Sequence, residues 1–461
     1  MSWQKIEIES ISLIMRSFQR LEKIVLKNFR RFSSFEMSFH PELTVIVGLN
    51  GQGKTSVLDA ITIAYGTFVG AFDRGKSKHF IRSDGRYLRD GNGPESEQQF
   101  PVGVTTNTYG DDEDNGHSWS RELTGPKNRT TTKNTLPITY YGRMLQQGLR
   151  TNASVELPVV AYYGSGRLWQ AHKNMERKSV LSESRTMGYE DCLSPASNFT
   201  QLQQWMAKAT WANLQQQQVP GYDHSNISAR LAGISRVVNQ VLEVEGWSNF
   251  HFSVTHEELA MSHQEQGILP VSLLSDGVRS MVSLAADLAW RCTRLNGHWG
   301  SEAPQRTEGL VLIDEVDIHL HPAWQQRVIA SLRGAFPKIQ FIVTTHSPQV
   351  LTTLTKENIR VLICNEDESW TASEPSISPL AHESGDALAM IMGTHPRPEM
   401  SDIMPDLYAY EHLARAGRAE SEEARQIKTR LDAIGYEFNE ADQALFTFLA
   451  AKAEKSKAET P

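Results

Sequence analysis

Residues 43–55 read LTVIVGLNGQGKT, and the meaning of this stretch decides the fold. Leu43–Val47 is a short unbroken apolar run, the pattern of a strand buried on both faces. It delivers the chain into Gly48–Thr55, GLNGQGKT, which satisfies G-x-x-x-x-G-K-[ST], and the next residues, SVLDAITIAYGTF, have helical spacing. Glycines at 48, 51 and 53 let the backbone wrap so that successive N–H groups face phosphate oxygens at a helix N-terminus. The expected nucleotide contacts are therefore Asn50, Gly51, Gln52, Gly53, Lys54, Thr55 and Ser56. Lys54 is expected at the β- and γ-phosphates of ATP, and Thr55 on Mg²⁺.

Working outward, Leu21–Phe39 alternates apolar and polar residues around Arg30–Ser34 and predicts an antiparallel hairpin. Arg30 and Arg31 in its turn could reach phosphate, although exposed turn arginines are commoner. From about Phe72 to Thr135 the composition shifts to Gly, Asp, Asn, Ser and Thr, which predicts a β-hairpin insertion. Leu157–Arg167 reads as a buried strand ending in a flexible turn. Asn198–Gln218 and Ser228–Val244 read as helices of a compact lobe, and Phe250–Thr255 and Leu269–Leu274 as strands. Gln146 and Gln147 are weak candidates for a magnesium-coordinating glutamine loop.

Three further motifs follow. In GLVLIDEVDIHLHP, Gly309–Pro322, four apolar residues bury a strand whose carboxyl end carries Asp314 and Glu315, the end at which open α/β sheets bind ligands. Asp314 is expected to hold Mg²⁺, and Glu315 to act as the general base on the attacking water. LLSDGVRS, Leu273–Ser280, opens the helix Val278–Leu295. Ser275 is expected to cap that helix and Gly277 to permit close backbone approach, making a second anion site. The strand IQFIVTTHSP ends at His346, placed to sense the γ-phosphate with a proton tunable near pH 7. His319 and His321 lack a convincing third ligand and are read as packing residues.

The composition sets limits. The chain has 461 residues, 39% hydrophobic and 22% charged, as in ordinary globular proteins, and its net charge of −8 argues against a surface wholly committed to nucleic acid. Cys192, Cys292 and Cys364 are too dispersed for a disulfide framework, which fits a cytoplasmic setting. No run approaches the roughly 18 apolar residues of a membrane span, so no anchor or signal peptide is expected.

The order P-loop, Ser-x-Gly helix, Asp-Glu strand and strand-end His resembles the ABC ATPase superfamily. LKNFRRFSSFEMSFHPELTVIVGLNGQGKTSVLDAI is similar to the opening of its RecF/SMC/OLD branch. The resemblance implies an α/β, ABC-type P-loop head with a mixed sheet, the β-hairpin insertion, the helical lobe and a helical C-terminal tail. It also implies a head-to-tail dimer in which Ser275 and Gly277 of one copy close on ATP held by Lys54 of another. Where transporters carry LSGGQ this chain has LSDGV, so Asp276 speaks against transporter-like behaviour.

YYGSGRLW, the DEVDIHLHPAWQQ block and GTHPRPEM further resemble ATPases of bacterial anti-phage systems, the PtuA family of Septu above all. That likeness implies an oligomer controlling a separate HNH nuclease. An AriA-like ATPase of PARIS with a Toprim nuclease, and a RecF-like head that clamps DNA, are the alternatives. The expected divisions are 1–75 with the P-loop, 76–156 as the insertion, 157–270 as strand and helical lobe, 271–375 with the signature helix, Asp-Glu strand and His346, and 376–461 as a tail for partner or oligomer contacts.

Overall fold

The computed structural model describes residues 20–89, 96–110, 116–166, 184–195, 199–218, 226–394 and 402–458. Two of the motifs quoted above reach beyond them: the end of YYGSGRLW, and most of GTHPRPEM. The chain falls into two compact units, Met1–Met392 and Gly393–Pro461.

In the first unit, strands β1 (Leu21–Phe29) and β2 (Phe32–Ser38) form the hairpin expected from their alternation, and β3 (Leu43–Val47) leads to helix α1 (Lys54–Ala64). A small hairpin of β4 (Tyr87–Arg89) and β5 (Ser96–Gln98) precedes β6 (Val102–Thr108) and β7 (Ser118–Leu123). The latter two pair with each other, but β6 also pairs antiparallel along β1, giving a four-stranded sheet in the order β2-β1-β6-β7. The insertion is thus built into the N-terminal sheet. Trp119 Nε1 donates to Ala64 O at 3.0 Å, and Arg121 lies buried beneath α1, donating to the carbonyls of Ile63 and Lys78. The bonds to Ile63 O and Ala64 O serve carbonyls at the helix end.

Helix α2 (Leu136–Thr151) follows and was not expected from the sequence. Its buried Ile138, Tyr141 and Leu145 recur at three- and four-residue spacing, and Tyr141 stacks on Phe68 with ring centroids 5.6 Å apart. Next come β8 (Val159–Tyr163), the helical lobe of α3 (Phe199–Gln218) and α4 (Ile227–Leu242), and an antiparallel sheet of β9 (Trp247–Ser253), β10 (Glu258–His263) and β11 (Gly267–Pro270). The stretch expected as a strand at Leu269–Leu274 is only partly one; Val271–Leu273 forms a 3-10 turn.

Helix α5 (Asp276–Leu295) is buried from Val278 onward on nearly every side, with Trp290 wholly enclosed. Burial of each large apolar side chain contributes roughly 1.5–3 kcal/mol. Asn296 closes the helix: its side chain accepts from Leu157 N and donates to Leu157 O, fixing the approach to β8. The unit is then completed by β12 (Gly309–Ile313), α6 (Val328–Ala335), β13 (Ile339–Thr344), β14 (Ile359–Cys364), β15 (Trp370–Ser373) and α7 (Ser384–Met392).

The central six-stranded sheet has the order β15-β14-β3-β13-β12-β8, parallel except for the antiparallel edge strand β15. The P-loop strand β3 and the Asp-Glu strand β12 flank β13, so three motifs separated by some 300 residues of sequence leave adjacent strand ends. This is the mixed-sheet, ABC-type P-loop head. In the second unit, α8 (Met404–Arg415), α9 (Glu422–Ala433) and α10 (Glu440–Ala458) have a separate core that includes Leu407, Tyr410, Leu413, Ile427 and Phe446.

Candidate nucleotide site

The P-loop begins where β3 ends. Gly53 sits at the N-cap of α1 with φ +96°, a left-handed conformation favouring glycine, and a methyl there would stand 2.7 Å from Phe32 Cζ. Gln52 folds back so that its Oε1 accepts from Leu49 N at 2.6 Å, while Asn50 and Gly51 face solvent. Lys54 is buried and its Nζ donates to Gly48 O at 2.8 Å and Leu49 O at 3.2 Å. The ammonium therefore already lies inside the loop it is expected to serve. Burial lowers its pKa from the ordinary lysine value, opposed by Asp314, Glu315 and Asp317. Ser56 Oγ lies 3.4 Å from Arg30 Nη1.

Across the strand ends, Thr55 Oγ1 donates to Asp314 Oδ2 at 2.8 Å, and Thr344 Oγ1 donates to Asp314 Oδ1 at 2.7 Å. Asp314 is buried and its backbone N donates to Tyr163 O, so β8, β12, β13 and the start of α1 all fix this carboxylate. A hydroxyl and a carboxylate oxygen 2.8 Å apart form a hard-oxygen donor pair suited to Mg²⁺.

Glu315 follows in a left-handed conformation, φ +49°, and its N donates to Thr344 Oγ1 at 2.8 Å. The strained turn directs the chain away from the strand just as the carboxylate is presented. His346, half-buried at the end of the neighbouring strand, has its pKa lowered chiefly by burial and secondarily by Lys54, with Glu315, Asp317 and Asp314 opposing. This direction favours the neutral imidazole. Lys54, Thr55, Asp314, Glu315 and His346 thus lie together at adjacent strand ends.

The signature segment is arranged differently. Ser275 occupies the N-cap position of α5, but its exposed hydroxyl makes no capping bond, contrary to expectation. Asp276 pairs instead with Arg279 at 2.9 Å. Gly277 meets the expected close approach within its own chain: a methyl there would lie 2.4 Å from His319 O. Leu273, just before the motif, is 69% exposed.

Several residues have other roles. Arg30 donates to Asp59 at 2.8 Å and Asp84 at 3.0 Å, which occupies it structurally. His321 caps a helical turn by accepting from Ala323 N. Gln146 lies on α2, where its Oε1 accepts from Asp73 N at 3.0 Å, and Gln147 is exposed on the same helix; neither stands at a strand end, so both lose the magnesium-loop assignment. The strand beside β12 is β8, and it leads into Gly164–Ser165–Gly166.

Sequence reasoning missed two parts of this site. Thr344 bridges Asp314 to the backbone of Glu315, and Asp317 accepts from Thr345 Oγ1 at 2.5 Å. The TT before His346 was the available signal. A second network is silent in sequence: buried Asp287 on α5 accepts from Tyr163 OH and Arg291 Nε, each at 2.8 Å. It joins the signature helix to β8 next to Asp314.

Two protein-family models match the chain: an AAA domain over residues 23–231, and an AAA domain described as putative AbiEii toxin, Type IV TA system, over residues 219–352. A probable ATPase of retron Vc95 from Vibrio cholerae is 25% identical over 91% of this chain and 88% of its own length. Septu protein PtuA from Bacillus mycoides is 30% identical over 34% of this chain and 22% of its own. Among solved structures, an SMC head bound to the C-winged helix domain of ScpA aligns with TM-score 0.46 and 15% identity, over 77% of this chain and 97% of that one. These matches support an ATPase, similar to the retron ATPases over most of its length and to Septu PtuA over part of it. No helix among the described residues is long and apolar enough to cross a membrane.

Proposed function

We propose that this protein is the ATP-driven regulatory subunit of an anti-phage defence complex. Two copies close head to tail on ATP·Mg²⁺, and the closed state governs a separate nuclease of the HNH type. The observation that carries the ATP chemistry is the chain of bonds Thr55–Asp314–Thr344–Glu315 N, in which two hydroxyls hold the Asp314 carboxylate next to Glu315. Thr55 and Asp314 would hold a Mg²⁺ ion, which would supply charge neutralisation to the bound phosphates. Lys54 and the loop N–H groups bind and orient the phosphates. Glu315 receives the proton of the attacking water at its carboxylate, and neutral His346 donates a hydrogen bond to a γ-phosphate oxygen.

Head-to-tail closure is supported by the exposed, uncapped Ser275 beside the exposed Leu273, which leaves hydrogen-bonding and apolar groups at a helix N-terminus turned outward. The defence setting is supported by the retron and Septu relatives, and the nuclease partner is what the resemblance to PtuA implies. The test is co-purification of the full chain with the product of the adjacent reading frame, followed by nuclease assay with and without ATP. ATP-dependent change in nuclease activity is expected. A purified pair whose cleavage ignores both ATP and Lys54→Ala would sink the reading.

A further inference from the structure

The turn of the first hairpin and the start of β15 meet beside the P-loop. Arg31 is exposed, and its guanidinium carbon lies 4.9 Å over the centroid of the Trp370 ring. Trp370 is held edge-on against Phe32, with centroids 5.8 Å apart and planes at 88°, and Phe32 in turn stacks on Phe35 at 4.5 Å. The same arginine borders the phosphate loop: a methyl on Gly53 would stand 2.9 Å from Arg31 Cδ, and one on Gly51 would stand 3.9 Å from Arg31 Nη2. Leu362, on the strand paired with β15, flanks Gly48 at the loop's other end. Among the described residues, Arg31 makes no ion pair or hydrogen bond, in contrast to its neighbour Arg30, which has two carboxylate partners.

A guanidinium is planar, so one face can lie on an aromatic ring while the other remains open for a second π system. Here the indole occupies the inner face, Phe32 fixes the indole, and the outer face is turned to solvent at the rim of the loop. We infer that Arg31 is the base platform of the nucleotide site: the nucleobase stacks on the outer face of its guanidinium, and Trp370 is the positioning residue that holds it flat. This rests on the ATP reading of the P-loop. Stacking of this kind tolerates any base because every base has a π face, and it favours larger ring systems. The pair therefore selects purine over pyrimidine triphosphates and discriminates little between ATP and GTP.

A phosphate role for Arg31 is the competing outcome, and a ligand with phosphates but no base separates the two. Affinities of the full chain for ATP, GTP, CTP and inorganic tripolyphosphate, each with Mg²⁺, are measured by calorimetry. Wild type is expected to bind ATP and GTP alike and CTP more weakly. Arg31→Lys, which keeps the charge and loses the plane, and Trp370→Leu are each expected to weaken ATP by about tenfold. Both should leave tripolyphosphate within about twofold of wild type. Trp370→Phe, which keeps a ring, should restore most of the ATP affinity. Arg31→Lys binding ATP as wild type does, or tripolyphosphate affinity falling in step with that for ATP, overturns the inference. Wild type binding tripolyphosphate and no nucleoside triphosphate also overturns it, whereas wild type binding neither removes the ATP reading itself.

Discussion

The two helix N-termini of the nucleotide-binding head are built to opposite plans. At α1 every functional group is engaged within the chain: Lys54 is buried on loop carbonyls, Thr55 is bonded to Asp314, and Asp314 is fixed from three strands. At α5 the backbone is equally fixed, with Gly277 pressed under His319 O and the helix tied to β8 through Asp287 and Tyr163, but Ser275 and Leu273 point outward. The first terminus is finished by its own fold. The second is held rigid by its internal contacts while Ser275 and Leu273 stay exposed, the difference on which the proposed second copy rests.

The contrast can be broken from either side. The largest expected effect belongs to the internal site: Glu315→Gln should slow ATP turnover by roughly 10²–10⁴ while ATP binding persists, read by single-turnover kinetics and equilibrium dialysis. The same variant should accumulate as an ATP-dependent dimer in light scattering; a monomer with ATP bound would undo the outward role of α5. Lys54→Ala removes a buried, charge-assisted contact, and ATP affinity should fall by about a hundredfold.

At the other terminus, Ser275→Ala should weaken ATP-dependent association by about tenfold while leaving the thermal midpoint unchanged. An N-cap serine normally contributes about 1 kcal/mol through its hydroxyl, and here that bond is absent. A clear loss of stability in Ser275→Ala would show that the hydroxyl serves the fold after all. Gly277→Ala should do the reverse, destabilising the chain by about 1–3 kcal/mol in denaturant melts because its methyl has no room beside His319 O.

The smallest effect concerns protons. The pKa of His346 is depressed below 6.5 in the folded chain, so below the ordinary histidine value the unfolded chain binds a proton that the folded chain refuses. Stability from this residue is retained above pH 6.5 and lost as the pH falls through the depressed value. His346→Gln should therefore flatten the acid side of the stability curve slightly without changing its neutral plateau.

How much of this was legible in the sequence followed from how local each cause is. The P-loop, the Asp-Glu strand and His346 announce themselves because short apolar runs and fixed spacings are local facts, and their convergence follows from adjacent parallel strands. The pairing of β6 with β1 is invisible in either segment, because a ladder between residues 21–27 and 103–108 is a choice among strands. Helix α2 was missed because Pro137, Gly142, Gly148 and its threonines give it weak intrinsic propensity; packing of Tyr141 and Leu145 overrides that weakness. Thr344 reads as an ordinary strand residue until the register places its hydroxyl between Asp314 and Glu315.

The outward-facing Ser275 has one more consequence, for dosage. If each active site is assembled from two copies, the rate per molecule depends on how many molecules are present: in dilute solution it rises in proportion to concentration, then levels off once pairing saturates. A cell could hold such a protein silent simply by keeping it scarce. Any event that gathers copies together, whatever its chemistry, would then act as the signal without touching the nucleotide at all.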